Sequence, residues 1–537
     1  MNNKDRISGK KHLGFNPYLP SWEYIPDGEP HVFGDKVYVY GSHDFFNGYE
    51  FCPGDYMCYW APVGDLTDWH CSGVIYGRCD DPRNPNGESA LYAPDVTQGP
   101  DGKFYLYYCL NREPVVSVAV CDRPDGRYHF LGYVRHADGT PLGEKAGDEF
   151  QFDPGVLTEG QMTYLYTGFC PEAMQERHGA MCTILGPDML TIASEEDTEN
   201  HAFSGAALAE STPDGISDGK SQFVDTTWES GKWSREEPVR FVVPSKPYSA
   251  GTGFADHPFF EASSIRKVGD TYYFVYSSIW NHELCYATSD RPTGGFTYRG
   301  VIISNIDKGI SSYKNADQPM GYRDNNHGGF ACINGHYYQF YHRHTNNYSF
   351  SRQACLEPIE ISADGSIPQV EMTSCGPNGG PLPGKGYYPA YIACNVYRPE
   401  TIAVGGGYPG VKKNPGNPYI TQEGKDGDQL PGYVENLMDG ALVGFKYFAC
   451  ENTWISRIPI RGRFPENGCL EIALSPYGPA VGRIKVGDTY TFRDQWAWYE
   501  TDIPIPDGKQ AIYFRMKGPG RISLGGFELA EQELRKG

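Results

Sequence analysis

Several absences narrow the possibilities before any motif is found. No apolar run in the 537-residue chain approaches the ~20 residues that cross a bilayer as a helix. The opening stretch, MNNKDRISGKKHLGFNPYLP, has basic groups but not the apolar core of an export signal. No CxxC pair occurs among the fifteen cysteines, and Cys52 and Cys58 lack zinc-finger spacing. An odd number of thiols scattered along a long chain points to free, mostly buried cysteines, and a reducing, cytoplasmic location is the expectation. Heptads and long amphipathic helical runs are also scarce. The formal charge of −21 argues against a polyanion such as nucleic acid as partner and leaves neutral ligands open.

Turn formers and aromatics are plentiful: 65 Gly, 41 Pro, 40 Tyr and 27 Phe. That mixture favours a mostly β chain, long enough for two or three domains.

A repeat organises the first two-thirds. From Asp27 the pattern is an acid, a short strand, a Gly turn and an aromatic strand. It recurs as DVTQGPDGKFYLYY from Asp95, DPGVLTEGQMTYLYTG from Asp153, EASSIRKVGDTYYFVYSS from Glu261 and HGGFACINGHYYQFYHR from His327. Each copy reads as a hairpin. A second hairpin follows some of them, as in CDRPDGRYHFLGYV from Cys121, SDRPTGGFTYRGVI from Ser289 and GDLTDWHCSGVIY from Gly64. Two hairpins make a four-stranded sheet, and five such sheets make a five-bladed β-propeller, expected over residues 1–365. The third and fourth heads stand farther apart than the others, which places an insertion at about 171–254. Its middle is acidic and Ser-rich (SEEDTEN, ESTPDGISDGK).

In a propeller the innermost strands line the central channel, so residues heading the repeats converge. Asp27, Asp95, Asp153, Glu261 and His327 converging on one axis is costly unless they are solvated, metal-bound or catalytic. Four heads stand eleven positions before a strand tyrosine: Asp27 before Tyr38, Asp153 before Tyr164, Glu261 before Tyr272 and His327 before Tyr338. Glu29, nine before Tyr38, is out of step.

The segments NPYLPSWEYIPDG, YAPDVTQGPDGKFYLYY, FDPGVLTEGQMTYLYTGF, FFEASSIRKVGDTYYFVYSS and HGGFACINGHYYQFYHR, taken in order, resemble glycoside hydrolase family 43 over residues 14 to 360. The resemblance implies an inverting glycosidase. Carried over by position, Asp27 is the general base, Glu261 the general acid and Asp153 the third acid that tunes the general acid's pKa and orients the sugar. The chemistry calls for such a set, because one carboxyl must be protonated while the other is ionised. Glu29-Pro30 also imitates the family's usual Asp-Pro, so Glu29 competes with Asp27 for the base; spacing favours Asp27. The resemblance further implies Asp95 as a channel-lining, structural or sugar-contacting residue and Arg343 as the arginine that reaches substrate. His327 is implied to lie beside a central calcium ion or water cluster. His43 and Phe45 are rim candidates for sugar contact. The stretch RNPNG, Arg83 to Gly87, faintly echoes a motif of retaining five-bladed enzymes; without its acid it reads as a loop.

Composition shifts near Thr373. Residues 366–432 are turn-rich without periodicity, and short strands return over 433–537 at roughly ten-residue intervals, which suggests a β-sandwich. CLEIALSPYGPAVGRIKV and WAWYETDIPIPDGKQAIYFRMKG resemble family 6 carbohydrate-binding modules, although Leu524-Gly525-Gly526 stands where many carry an Asp. Trp496 and Trp498 are candidates for sugar stacking, core packing or contact with the propeller.

The expectation is therefore an exo-acting glycosidase that trims α-L-arabinofuranosyl or β-D-xylosyl ends from arabinoxylan-derived oligosaccharides. Its rivals are a family member acting on arabinan or galactan oligosaccharides, a non-catalytic sugar-binding propeller and a scaffold for protein partners.

Overall fold

The computed structural model describes residues 14–194, 239–399, 416–463, 467–485 and 495–531. Five antiparallel meanders build a propeller. Blade I comprises β1 (Glu29–Phe33), β2 (Lys36–Tyr40), β3 (Tyr56–Pro62) and β4 (His70–Tyr76). Blade II comprises β5 (Leu91–Gln98), β6 (Phe104–Leu110), β7 (Val116–Cys121) and β8 (His129–Tyr133). Blade III comprises β9 (Gly155–Glu159), β10 (Met162–Thr167), β11 (Gly179–Leu185) and β12 (Val239–Pro244). Blade IV comprises β13 (Phe259–Val268), β14 (Thr271–Ser278), β15 (Leu284–Ser289) and β16 (Thr297–Ile303). Blade V has three strands, β17 (Phe330–Ile333), β18 (His336–His344) and β19 (Arg352–Ile359).

The turns between first and second strands need a left-handed residue, and glycine supplies it at Gly34, Gly160, Gly269 and Gly335. Second strands are packed on both faces by neighbouring blades, which is why β6, FYLYYCL, is buried at every position. The first strands stand side by side around the channel: β1 meets β17 and β5, and β9 meets β5 and β13. Arg266 of β13 reaches the Phe330 carbonyl of β17 at 2.9 Å and completes the circle. The segment before β1 runs along blade V. The Tyr18 N–H donates to the Ala354 carbonyl (3.1 Å), and Asn16 bonds both the carbonyl and the N–H of Leu356.

Two expected boundaries change. Strands β11 and β12 lie inside the stretch read as an insertion, so the extra chain in blade III falls between residues 186 and 238. The acidic, Ser-rich stretches quoted from its middle lie essentially outside the described residues. The turn-rich stretch 366–432 is also less a connection than expected. Its short strands β20 (Leu382–Pro383), β21 (Gly386–Pro389), β22 (Asn395–Tyr397) and β23 (Tyr419–Thr421) pair into the two sheets of the C-terminal sandwich. Such short strands carry too few residues for a period-2 pattern to show.

The sandwich core is aliphatic and aromatic, with Phe445, Phe448, Phe514 and Phe527 buried together. Its seam with the propeller is polar. Fully buried Lys446 pairs with Asp307 at 2.8 Å and reaches Glu371 at 3.3 Å. On blade I, the Phe46 N–H donates to Asp426 (2.6 Å) and the Gly432 N–H to the Ser21 hydroxyl (2.9 Å). Trp496 packs against Tyr433 and over Gly525, and Arg461 lies over its ring. Trp498 is 48% exposed beside Tyr387, with Arg457 over its ring.

Candidate active site

Asp27, Asp153 and Glu261 head the inner strands of blades I, III and IV, and the backbone is bent at each. Asp27 and Asp153 have φ of 59° and 45°, and Ala262, next to Glu261, has 68°. Non-glycine residues rarely adopt this region, at a cost of roughly 1 kcal/mol or more each, and such outliers cluster where a side chain must be aimed. Strand β13 also slips register on either side of Glu261, a bulge that redirects its carboxyl.

The three acids sit in different electrostatic settings. Burial alone would raise the pKa of Asp27; the Arg352 guanidinium outweighs it and holds the carboxyl well below the usual range. Arg352 Nη1 donates to Asp27 Oδ1 at 2.9 Å, while Asp44 clamps the same guanidinium through two bonds of 2.8 and 3.0 Å. His342 accepts the Asp27 N–H on Nδ1 (3.2 Å) and faces the Asn325 carbonyl with Nε2 (3.0 Å), which assigns its proton to Nε2. Among the described residues Asp27 Oδ2 meets only the Cys52 thiol, at 3.9 Å, and so keeps lone pairs for water.

Glu261 is the opposite case. Burial pushes its pKa well above the usual range, and the charges of Asp153 and Asp27 push it further. Among the described residues no protein group hydrogen-bonds its carboxyl. Asp153 accepts the Ala262 N–H at 3.1 Å, which ties the third acid to the bend that aims Glu261. His327 links the acids to the rest of the channel, with Nδ1 3.6 Å from Asp153 and Nε2 3.5 Å from Glu29. Burial opposes a charged His327, but its two carboxylate neighbours prevail and the ring is held protonated.

Glu29 is fully buried and engaged elsewhere. Its Oε2 accepts from Arg266 (2.6 Å) and from the Ser264 hydroxyl (2.9 Å). Its other oxygen, Oε1, faces the His327 ring at 3.5 Å, so Glu29 stands between two cationic side chains rather than toward open solvent. Asp95 is likewise spent in the seam between blades. Oδ1 takes His31 Nε2 (2.6 Å) and its neighbour's N–H, and Oδ2 takes the Val156 N–H (2.8 Å). It is buried and bonded, with no side turned to a sugar.

Arg343 is a correction. Alternation along β18 points His342 toward Asp27 and Arg343 to the opposite face, where it meets the Cys355 sulfur and the Ala393 carbonyl. The guanidinium at the acids belongs to Arg352. His43 bonds the Asp55 carbonyl (3.1 Å) and packs edge-on against Phe45. These two flank Asp44 on the segment between β2 and β3, at the blade I rim. The RNPNG stretch is the loop expected of it, pinned by Asn84 to Arg78 and Ser89.

Reading the sequence missed Arg352, Asp44, His342 and Arg266. Parity would have found one of them: in a strand reading YHRH, alternate residues face one way, so His342 and Arg343 had to be separated. An aromatic arc was also missed. Tyr92, Phe152, Phe169 and Phe260 follow one another with centroids 4.8–5.5 Å apart, and two of them adjoin Asp153 and Glu261 in sequence.

The channel donors do not suit calcium. That ion takes about six to eight oxygen ligands. Here Asp95 and Glu29 Oε2 are engaged, both His327 nitrogens face carboxylates, and Glu29 Oε1 is the carboxylate oxygen of the Glu29–Asp95 pair without a hydrogen-bond partner.

A family model, Glycosyl hydrolases family 43, matches residues 32–213. A xylosidase/arabinosidase of Thermoclostridium stercorarium is 54% identical over 515 residues, which cover 96% of this chain and 98% of that one. A xylosidase/arabinosidase of Bacteroides ovatus is 29% identical over 54% of this chain and 81% of its own. Among solved structures, a family 43 arabinoxylan arabinofuranohydrolase from Bacillus subtilis, in complex with cellotetraose, covers 97% of this chain and 99% of its own at 18% identity and a TM-score of 0.46.

Proposed function

Because the chain belongs to glycosyl hydrolase family 43, we propose that it removes terminal α-L-arabinofuranosyl or β-D-xylosyl residues from arabinoxylan-derived oligosaccharides, with inversion. The observation that carries this reading is the contrast between two carboxyls of one cluster: Arg352 bonds Asp27 at 2.9 Å and lowers its pKa, while the Glu261 carboxyl has no hydrogen-bonding protein partner among the described residues and burial and Asp153 raise its pKa. Inverting hydrolysis needs that pair. Asp27 takes a proton from water as the water oxygen bonds the anomeric carbon. The glycosidic C–O bond breaks on the opposite face, and Glu261 gives its proton to the departing oxygen. Solvent then returns Asp27 and Glu261 to their starting states. The 54% identical xylosidase/arabinosidase supports the choice of sugars. The aromatic arc from Tyr92 to Phe260 offers apolar faces for the remainder of the oligosaccharide.

The test is turnover of aryl arabinofuranoside and aryl xyloside by the wild type and by Glu261→Gln, with the product anomer read by NMR. Inverted product from the wild type and loss of turnover in the variant are expected. A retained anomer, or no hydrolysis of either glycoside by pure wild type, overturns the reading.

A further inference from the structure

Deeper in the channel, a column of groups begins where the catalytic acids end. Arg266 lies on β13, five residues beyond Glu261, with its side chain 13% exposed. All three guanidinium nitrogens are used: Nε donates to the Phe330 carbonyl (2.9 Å) and Nη1 to the Ile265 carbonyl (2.7 Å). Nη2 donates to Glu29 Oε2 (2.6 Å) and to the Pro30 carbonyl (3.1 Å). The group is therefore fixed between blades I, IV and V. Gly329 makes the room. A Cβ there would stand 2.3 Å from Glu29 Oε2 and 2.7 Å from Arg266 Nη2.

Glu29, held at Oε2, presents Oε1 to His327, whose other nitrogen faces Asp153. Asp153 in turn holds the Ala262 N–H beside Glu261. The charged and titratable groups facing the column are Asp27 near His327, and His31 with Asp95 near Glu29. Positive and negative groups alternate from Arg266 to Asp153. Removing the first leaves fully buried Glu29 with only the more distant His327 to balance it, which is far costlier than losing a surface pair.

We propose that Arg266 is the resident cation of the propeller channel, balancing Glu29 where a divalent ion would otherwise be required, and that through Glu29 and His327 it positions Asp153 and the proton donor. Arg266 touches no substrate; it is a positioning residue. The inference rests on the assignment of Asp27, Asp153 and Glu261 as the catalytic set.

The experiment compares full-length wild type with Arg266→Met, Arg266→Lys and the double variant Arg266→Met/Glu29→Gln. Each is assayed on aryl xyloside and aryl arabinofuranoside and melted after EDTA treatment, with and without added Ca2+. Wild type should be indifferent to both additions. Arg266→Met should lose roughly ten- to hundredfold in kcat, with KM within about twofold. Its Tm should fall, and Ca2+ should recover part of that loss. Arg266→Lys should regain part of kcat because it restores the charge. In the double variant Tm should recover, since no charge is stranded, while kcat should stay low. The proposal is overturned if EDTA lowers the wild-type Tm or kcat and Ca2+ restores it. It is also overturned if Arg266→Met keeps wild-type kcat, or if the double variant recovers kcat along with Tm. An inactive wild type would instead sink the assignment of the catalytic set.

Discussion

Asp27 and Glu29 are two residues apart, both buried, both paired with an arginine, and they do different things. At Asp27 the guanidinium of Arg352 bonds one carboxylate oxygen and is itself clamped by Asp44, which leaves Oδ2 with a weak thiol contact. At Glu29 the partners are Arg266, Ser264 and His327, and none of them opens to a ligand. A buried carboxylate becomes a candidate base when its counter-charge is arranged to leave a lone pair unspent, and becomes a structural anchor when it is surrounded. The mouth of the channel and its deeper part use the same side chains, and what each less-bonded oxygen faces separates them: a thiol at Asp27, the His327 ring at Glu29.

Breaking the mouth should have the largest effect. Glu261→Gln and Asp27→Asn should each lower kcat on xylo-oligosaccharides by about 10²–10⁴-fold, the usual worth of a general acid or base. The Glu261→Gln loss should shrink on aryl glycosides whose leaving group needs no proton. Steady-state rates on matched substrates check both. Glu29→Gln comes next: kcat should fall by about tenfold or less, but Tm should drop more than in Asp27→Asn, because Arg266 loses its counter-charge. A Glu29→Gln enzyme as inactive as Asp27→Asn, with unchanged Tm, would erase the distinction between mouth and floor.

The pH dependence sharpens the contrast within the mouth. Glu261 must be protonated to act, so activity should fall as pH rises through its elevated pKa. The Asp153 charge raises that pKa; removing it in Asp153→Asn should therefore move the alkaline limb of kcat/KM to lower pH. Arg352→Met should move the acid limb the other way. Without the guanidinium the Asp27 pKa rises, and the base is protonated at a higher pH than in the wild type. The smallest effect on catalysis is expected at Arg343. Arg343→Met should lower Tm through loss of its contacts with Cys355 and Ala393 while leaving the pH profile and KM in place. A raised KM would return Arg343 to the substrate.

Much of the fold was legible because its signals are local. Gly turns at fixed offsets and aromatic strands recur five times, and a hairpin is a short-range object. The boundaries that failed depended on partners far away in the chain. β12 joins β11 across residues 186–238, and β20 to β23 are strands only because sandwich strands accept them. The convergence of the three acids was legible because it follows from register once the propeller is assumed. Arg352, Asp44 and Arg266 were not, since each is separated in sequence from the acid it serves or faces and carries no motif of its own.

The sequence by itself determined the repeat, the propeller and which acids head the blades, because periodicity is written residue by residue. It left Asp27 and Glu29 as rivals and pointed to the wrong arginine. Only the tertiary structure shows what surrounds each of these side chains. Protonation and availability depend on which distant charges fold against a carboxyl, and on which of its lone pairs remain unspent once they have.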